Sequence, residues 1–268
     1  MILLHASHVV LILAAVSGVV HLVTTRPVFR KAMKALAALF LLVQFGFLIQ
    51  LAVTIPKCIL LHPWGVLSVM IMFGVSISWW MTRREGSPRI VTAVLALFAV
   101  TAGMAHLLVP ESEGVFTPLG WELAFHIFFV TLGTSVLGLG FIAGILVFLR
   151  GRELKHSGWA KKDEVVWPSL TSLDRLFIRS LGAGVAMLAV GMVLGALSVS
   201  AAEGAVWFRD PRILLTLVAC VLYAAVWALR KKQGFSTKPV VALATIGFAL
   251  IMIGFLLSGI AGMGVHKF

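Results

Sequence analysis

The sequence predicts an all-α integral membrane protein, a bundle of about eight transmembrane helices with both termini on the outer side. Three observations predict it. First, 60% of the 268 residues are hydrophobic and only 12% are charged. A water-soluble fold cannot hide that much apolar surface, so lipid is the solvent for most of the chain. Second, eight apolar runs approach or exceed the length needed to cross a ~30 Å hydrocarbon core. Third, 18 of the 22 Lys and Arg residues fall in alternate connections, those after runs 1, 3, 5 and 7. The positive-inside rule makes those connections cytoplasmic.

The first run, 2–23, carries His5 and His8, and its cations follow the apolar stretch at Arg26 and Arg30. That order suits a retained helix with its N-terminus outside, not a cleaved secretory leader. Runs 35–55 and 64–81 follow, the latter ending in Trp79 and Trp80 at headgroup level. Run 90–109 ends near His106 and leads into "LLVPESEGVFTPLGW", whose prolines prevent one continuous helix through the turn. Run 121–149 is long, about 43 Å at 1.5 Å per residue, and must tilt or project beyond the hydrocarbon. Glu122 and His126 lie four apart on one face of it, and Gly133, Gly138, Gly140 and Gly144 permit close helix contacts.

Residues 150–175 read as a polar cytoplasmic loop, with Trp159 and Trp167 at the membrane surface. Runs 176–200, 213–229 and 239–262 complete the set. Between the sixth and seventh lies "VWFRDPR", in which Asp210 and Pro211 suit the cap and first turn of a helix. Spans and short connections use nearly the whole chain, so 1–268 reads as a single polytopic membrane domain.

The net charge of +12 is thereby a topology signal and implies no nucleic-acid partner; the partner common to every span is the lipid bilayer. Cys58 and Cys220 fall in different runs with no metal-ligand spacing, and no CxxCH motif is present to attach heme covalently.

The histidines are one-sided. His5, His8, His62, His106, His126 and His266 fall on the outer side, against His21 and His156 inside. Taken singly, His5, His8, His62 and His106 read as interfacial polar tips. His106 ends one span and His126 opens the next, so the two can meet across a hairpin. His266 follows the last span, and Trp207, Arg209 and Arg212 lie at the same level. Two histidines, a flat aromatic and a few cations suit heme: imidazoles ligate the iron, the ring covers the porphyrin, and arginines pair with propionates. The metal ligands so selected are His126 and His266. Nothing resembles a hydrolytic triad, and no catalytic residue is assigned.

From His126 onward the residues carry a family likeness. "HIFFVTLGTSVLGLGFIAGILVFL" (126–149), "PSLTSLDRLFIRSLGAGVAMLAVGMVLGAL" (168–197), "DPR" (210–212), "LVACVLYAAVWALR" (217–230) and "KKQGFSTK" follow in order. This set resembles the cytochrome c assembly proteins of the CcsA/ResC type, and more closely their smaller relatives HemX and YpjD. The best match is 126–268; earlier residues resemble the family in hydropathy and span count.

The resemblance implies a heme-handling, heme-binding protein of the bacterial cytoplasmic membrane, related to cytochrome c biogenesis. In that reading His126 matches an outer histidine that opens a span before the tryptophan-rich WWD segment. His266, in "GMGVHKF", matches the histidine after the last span. "AAEGAVWFRDPR" keeps Trp207, Asp210, Pro211 and a basic residue at 212, and looks like a degenerate WWD segment. Where CcsA-type proteins carry a further histidine in a Leu-His-x-Arg context, this chain has "WALRK". That departure counts against a full cytochrome c heme lyase and leaves a HemX-like regulator or accessory subunit as the other alternative. A CcsB/ResB-like protein or other membrane-complex subunit is the partner implied.

Overall fold

The computed structural model describes residues 2–54, 63–85, 88–108, 121–156, 168–198, 211–233 and 238–261. Among them stand eight helices and no strand: α1 (Ile2–Thr24), α2 (Pro27–Thr54), α3 (Pro63–Glu85), α4 (Pro88–Leu108), α5 (Trp121–His156), α6 (Leu170–Ser198), α7 (Pro211–Gln233) and α8 (Lys238–Ala261). Six are long and apolar enough to cross a membrane, and α3 and α8 carry shorter apolar stretches. The outward faces carry Val9, Leu42, Phe45, Val100, Val193 and Val221, side chains that only lipid can solvate in such number. The chain is a multi-pass membrane protein.

Proline starts four of the helices, at 27, 63, 88 and 211, and α8 has Pro239 as its second residue. The first turn of a helix has no use for that missing N–H, and the ring presets φ. Pro211 therefore starts α7 as the sequence suggests; Asp210, its expected cap, lies outside the described residues. Ser169 caps α6, its hydroxyl accepting from the N–H of Ser172 at 3.1 Å.

Three helices extend furthest beyond the expected runs. α2 begins at Pro27 rather than 35, α5 continues to His156, and α6 begins at Leu170. Each extension carries Lys or Arg. A helix keeps its backbone bonded regardless of side-chain polarity, and long cationic stems reach the headgroups from it. The expected 150–175 loop is thus helical at both ends.

The turn from α1 to α2 is only Thr25 and Arg26. Thr25 has φ 57°, while its N–H donates to the His21 carbonyl at 2.8 Å. His21 is buried, and its Nδ1 donates to the Arg26 carbonyl at 3.1 Å, which makes this histidine a structural clasp. A β-branched residue with left-handed backbone costs about 1–2 kcal/mol, partly offset in glycine by its freer unfolded chain. Thr25→Gly is expected to raise stability by about 0.5–1 kcal/mol, seen as a higher melting temperature in detergent.

α5 is the central helix. Of its most apolar window, 72% is buried against 17–44% for the other five long spans. It packs on α6, α3, α8 and α4, while α1–α4 form their own group with α1 against both α2 and α4. Ser135 of α5 ties the two groups, its hydroxyl 2.9 Å from the Met70 carbonyl of α3. In lipid no hydrophobic force joins helices, so close packing and such hydrogen bonds must do it.

The α5–α6 seam shows how. His126, Val130, Gly133, Leu137, Gly140 and Gly144 alternate four and three apart, and so do Phe177, Leu181, Gly184, Leu188, Gly191 and Gly195. The helices run antiparallel with these rows facing. A Cβ added to Gly144 would meet the Phe177 ring at 3.0 Å, one on Gly133 the Leu188 backbone at 3.1 Å, and one on Gly184 Leu137 at 2.6 Å. The small residues are there because backbone and large side chains already occupy the space.

Candidate functional site

His126 holds the first position of that seam. Its ring lies over Gly195, where an added Cβ would fall 2.5 Å from Nδ1. Its Nδ1 is 2.6 Å from the Gly191 carbonyl. A carbonyl only accepts, so Nδ1 carries the proton and, in the neutral ring, Nε2 carries the lone pair. This is the arrangement that orients a ligating imidazole: one nitrogen donates to a backbone carbonyl, fixing ring and tautomer, and the other is aimed. The Gly191 carbonyl is accessible because Gly191 and Gly195, four apart on one face, leave the groove the ring fills.

His126 is partly exposed, and the same turns of α5 carry three phenylalanines: Phe125 and Phe129 lie 6.5 Å apart by centroid, and Phe128 packs edge-on to both Phe129 and Phe73. An oriented neutral imidazole fits one axial ligand of a heme iron. His266, Trp207 and Arg209 lie outside the described residues; Arg212 is the second residue of α7.

A second constellation went unrecognised in the sequence. His5 and His8 of α1, His106 of α4 and Trp64 of α3 meet at the end of the bundle where α1 begins. His8 Nδ1 is 2.6 Å from His106 Nε2. The His106 ring stacks on His5 with centroids 5.0 Å apart, meets His8 edge-on at 4.8 Å, and lies 4.7 Å from Trp64. His106 and His126 therefore face different neighbours, not each other: one pairs with α1, the other with α6. The three-residue spacing of His5 and His8 was the available signal, since it puts both on one helix face. As they stand, no three His, Cys, Asp or Glu among the described residues are arranged to hold a metal ion.

On the opposite end of the bundle, Arg230 of α7 donates from Nη2 to an Asp174 carboxylate oxygen of α6. The arginine of "WALRK" is thus anchored by the aspartate of "SLDRLF". Cys220 lies 3.8 Å from the Met192 sulfur, and Cys58 lies outside the described residues.

The fold is that of a helical multi-pass membrane protein, and the chain belongs to the family described as "Cytochrome C assembly protein", matched over residues 3–266. The match extends through the first half, where the sequence likeness rested on hydropathy and span count. Among curated relatives, the "Cytochrome c biogenesis protein CcsA" of Guillardia theta is 26% identical over 201 residues, 66% of this chain and 65% of that protein. The protein of that name from Prochlorococcus marinus (strain NATL1A) is 24% identical over 216 residues, covering 69% of this chain and 68% of the relative. That from Thermosynechococcus vestitus is 31% identical over 97 residues, 36% of this chain and 30% of the relative. The chain thus spans about two thirds of the length of the first two. No solved structure matches it.

Proposed function

We propose that this chain binds heme on the outer face of the bacterial cytoplasmic membrane and handles it in cytochrome c assembly. The observation that carries the reading is His126, held by its Nδ1 bond to the Gly191 carbonyl at 2.6 Å so that Nε2 presents a lone pair. His126 would hold the iron. His266 is the candidate for the second axial ligand, with Trp207, Arg209 and Arg212 as candidates for covering the ring and pairing with propionates. Bound heme would supply a redox-active iron for delivery to an apocytochrome. The chain's own residues bind and orient it, and the reading assigns them no catalytic step. A CcsB/ResB-like membrane protein is the expected partner, in keeping with the CcsA names of the relatives.

The test is an absorption spectrum of the gently purified protein, oxidised and reduced. The parent is expected to show a Soret band and sharp reduced bands of six-coordinate iron. His126→Ala should lower Soret absorbance per protein at least tenfold, and added imidazole should restore part of it by occupying the vacated position. A parent protein that stays colourless after heme is supplied would overturn the heme reading and favour a HemX-like accessory subunit. An unaltered spectrum in His126→Ala would overturn the assignment of His126.

A further inference from the structure

At the end of the bundle where α1 stops, α2 and α4 start side by side. Thr92 of α4 donates its hydroxyl to the Met33 sulfur of α2 at 3.3 Å. A Cβ added to Gly18 of α1 would meet both side chains, Thr92 Oγ1 at 2.5 Å and Met33 Sδ at 2.9 Å. Arg30 lies three residues before Met33, and Arg89 three before Thr92. The two helices run the same way, so these arginines stand at one level, a turn nearer the end. Lys34 follows Arg30 by four residues on the same face of α2, and both are exposed.

The chain does not balance the charge gathered here. Its first 110 residues hold one acid, Glu85, against seven Lys and Arg between 26 and 34 and between 83 and 89. Glu111, Glu113 and Glu122 follow α4 and open α5, at the other end of the bundle. Of the acids that come later to this end, Glu153 is paired with Arg150 and Asp174 with Arg230. Segment 157–167 carries Lys161 and Lys162 for its Asp163 and Glu164. Whatever each cation touches within the chain, a net positive charge remains to be met from outside it.

We propose that Arg30, Lys34 and Arg89 bind the phosphodiester of an anionic phospholipid whose acyl chains lie along the exposed face of α2. Three features select that partner. Two guanidinium forks at one level match the paired oxygens of a phosphate, and an anion between them relieves their mutual repulsion. Both arginines sit in the first turn of a helix long and apolar enough to cross a membrane, which is headgroup depth. Beyond Lys34 the same face of α2 presents Leu42, Phe45 and Ile49, all exposed. Phe45 lies about 16 Å along the helix from Lys34, half of a ~30 Å hydrocarbon core and so the depth of one leaflet. A soluble phosphate would gain the first feature but not the last. A zwitterionic headgroup carries its own cation and relieves none of the excess.

The experiment is native mass spectrometry of the full-length protein, delipidated in detergent and titrated with phosphatidylglycerol or phosphatidylcholine. The parent should retain one phosphatidylglycerol at a lipid concentration roughly tenfold below that needed for phosphatidylcholine, since each cation near an anionic headgroup contributes roughly fivefold. Arg30→Gln/Arg89→Gln should weaken that retention at least tenfold by the same reasoning. Arg175→Gln/Arg179→Gln removes two exposed cations from α6 at the same end and should change it by less than about twofold, because a site differs from a diffuse field. Arg30→Lys/Arg89→Lys keeps the charge but not the forks, and should weaken retention about threefold. That variant carries the test if the glutamine variant fails to show parental helix content by circular dichroism. Millimolar sn-glycerol 3-phosphate should leave the lipid in place. Equal retention of the two lipids by the parent would overturn the proposal, as would a loss in the α6 control matching that in the Arg30/Arg89 variant. Parental retention in the lysine variant, or displacement of the lipid by glycerol phosphate, would sink it equally.

Discussion

Replacing Gly195 by leucine is expected to abolish heme binding although His126 itself is untouched. A Cβ at 195 would lie 2.5 Å from His126 Nδ1 and 2.7 Å from its Cε1, and a leucine adds three more carbons in the same direction. The ring cannot stay over α6, so the Nδ1 bond to Gly191 breaks and Nε2 loses its aim. Overpacking of this kind costs about 1–3 kcal/mol, so the melting temperature falls as well. Gly182 on the same helix is the control, since a Cβ there meets nothing within 4 Å. Gly182→Leu should keep both the spectrum and the melting temperature of the parent. Gly195→Ala should fall between. The two readouts separate two failures. A Gly195→Leu protein that is destabilised yet keeps a parental Soret band would show that heme does not depend on the seated ring. One that is neither destabilised nor altered would show that α5 and α6 do not pack closely at His126.

The helices were legible because lipid leaves a chain no other way to satisfy its backbone, so an apolar run of sufficient length is a helix. Their ends were not. Hydropathy stops at Lys34, Arg150 or Arg175, but the backbone bonding does not, and α2, α5 and α6 continue through their cations into the headgroup region. His126 was legible from its place at the start of a span. Its setting was also written in the sequence, in the matching four-and-three spacing of His126 to Gly144 and Phe177 to Gly195, but glycines alone suggest only packing. Reading the two rows against each other is what puts a ring opposite Gly195. The His5–His8–His106 cluster was hidden for another reason. Chain order makes α4 and α5 neighbours, which led to the expectation that His106 meets His126. The structure sets α4 against α1, a contact between non-consecutive helices that no local pattern announces.

Breaking the Asp174–Arg230 pair by either single substitution to alanine is expected to cost about 3–5 kcal/mol, the usual penalty for leaving a buried charge uncompensated. Both members are well enclosed, with side chains 7% and 17% exposed respectively, so solvent screening gives little relief. The pair joins the first turns of α6 to the last turns of α7, helices otherwise in modest contact compared with α5 and α6. Loss of it should loosen α7 more than the α5–α6 seam. Asp174→Ala and Arg230→Ala should therefore both melt early by circular dichroism while the Soret band survives at low temperature. The double variant Asp174→Leu with Arg230→Met removes both charges at roughly conserved volume, and it should recover most of the loss or exceed the parent. A double-mutant cycle then gives the coupling energy directly. Recovery would mean that the two segments carrying the family likeness, "SLDRLF" and "WALR", hold charged residues for registering α7 on α6 rather than for stability. If the double variant is as unstable as the singles, the charges do something that apolar packing cannot replace, and Asp174 and Arg230 would join His126 among the residues to be tested for function.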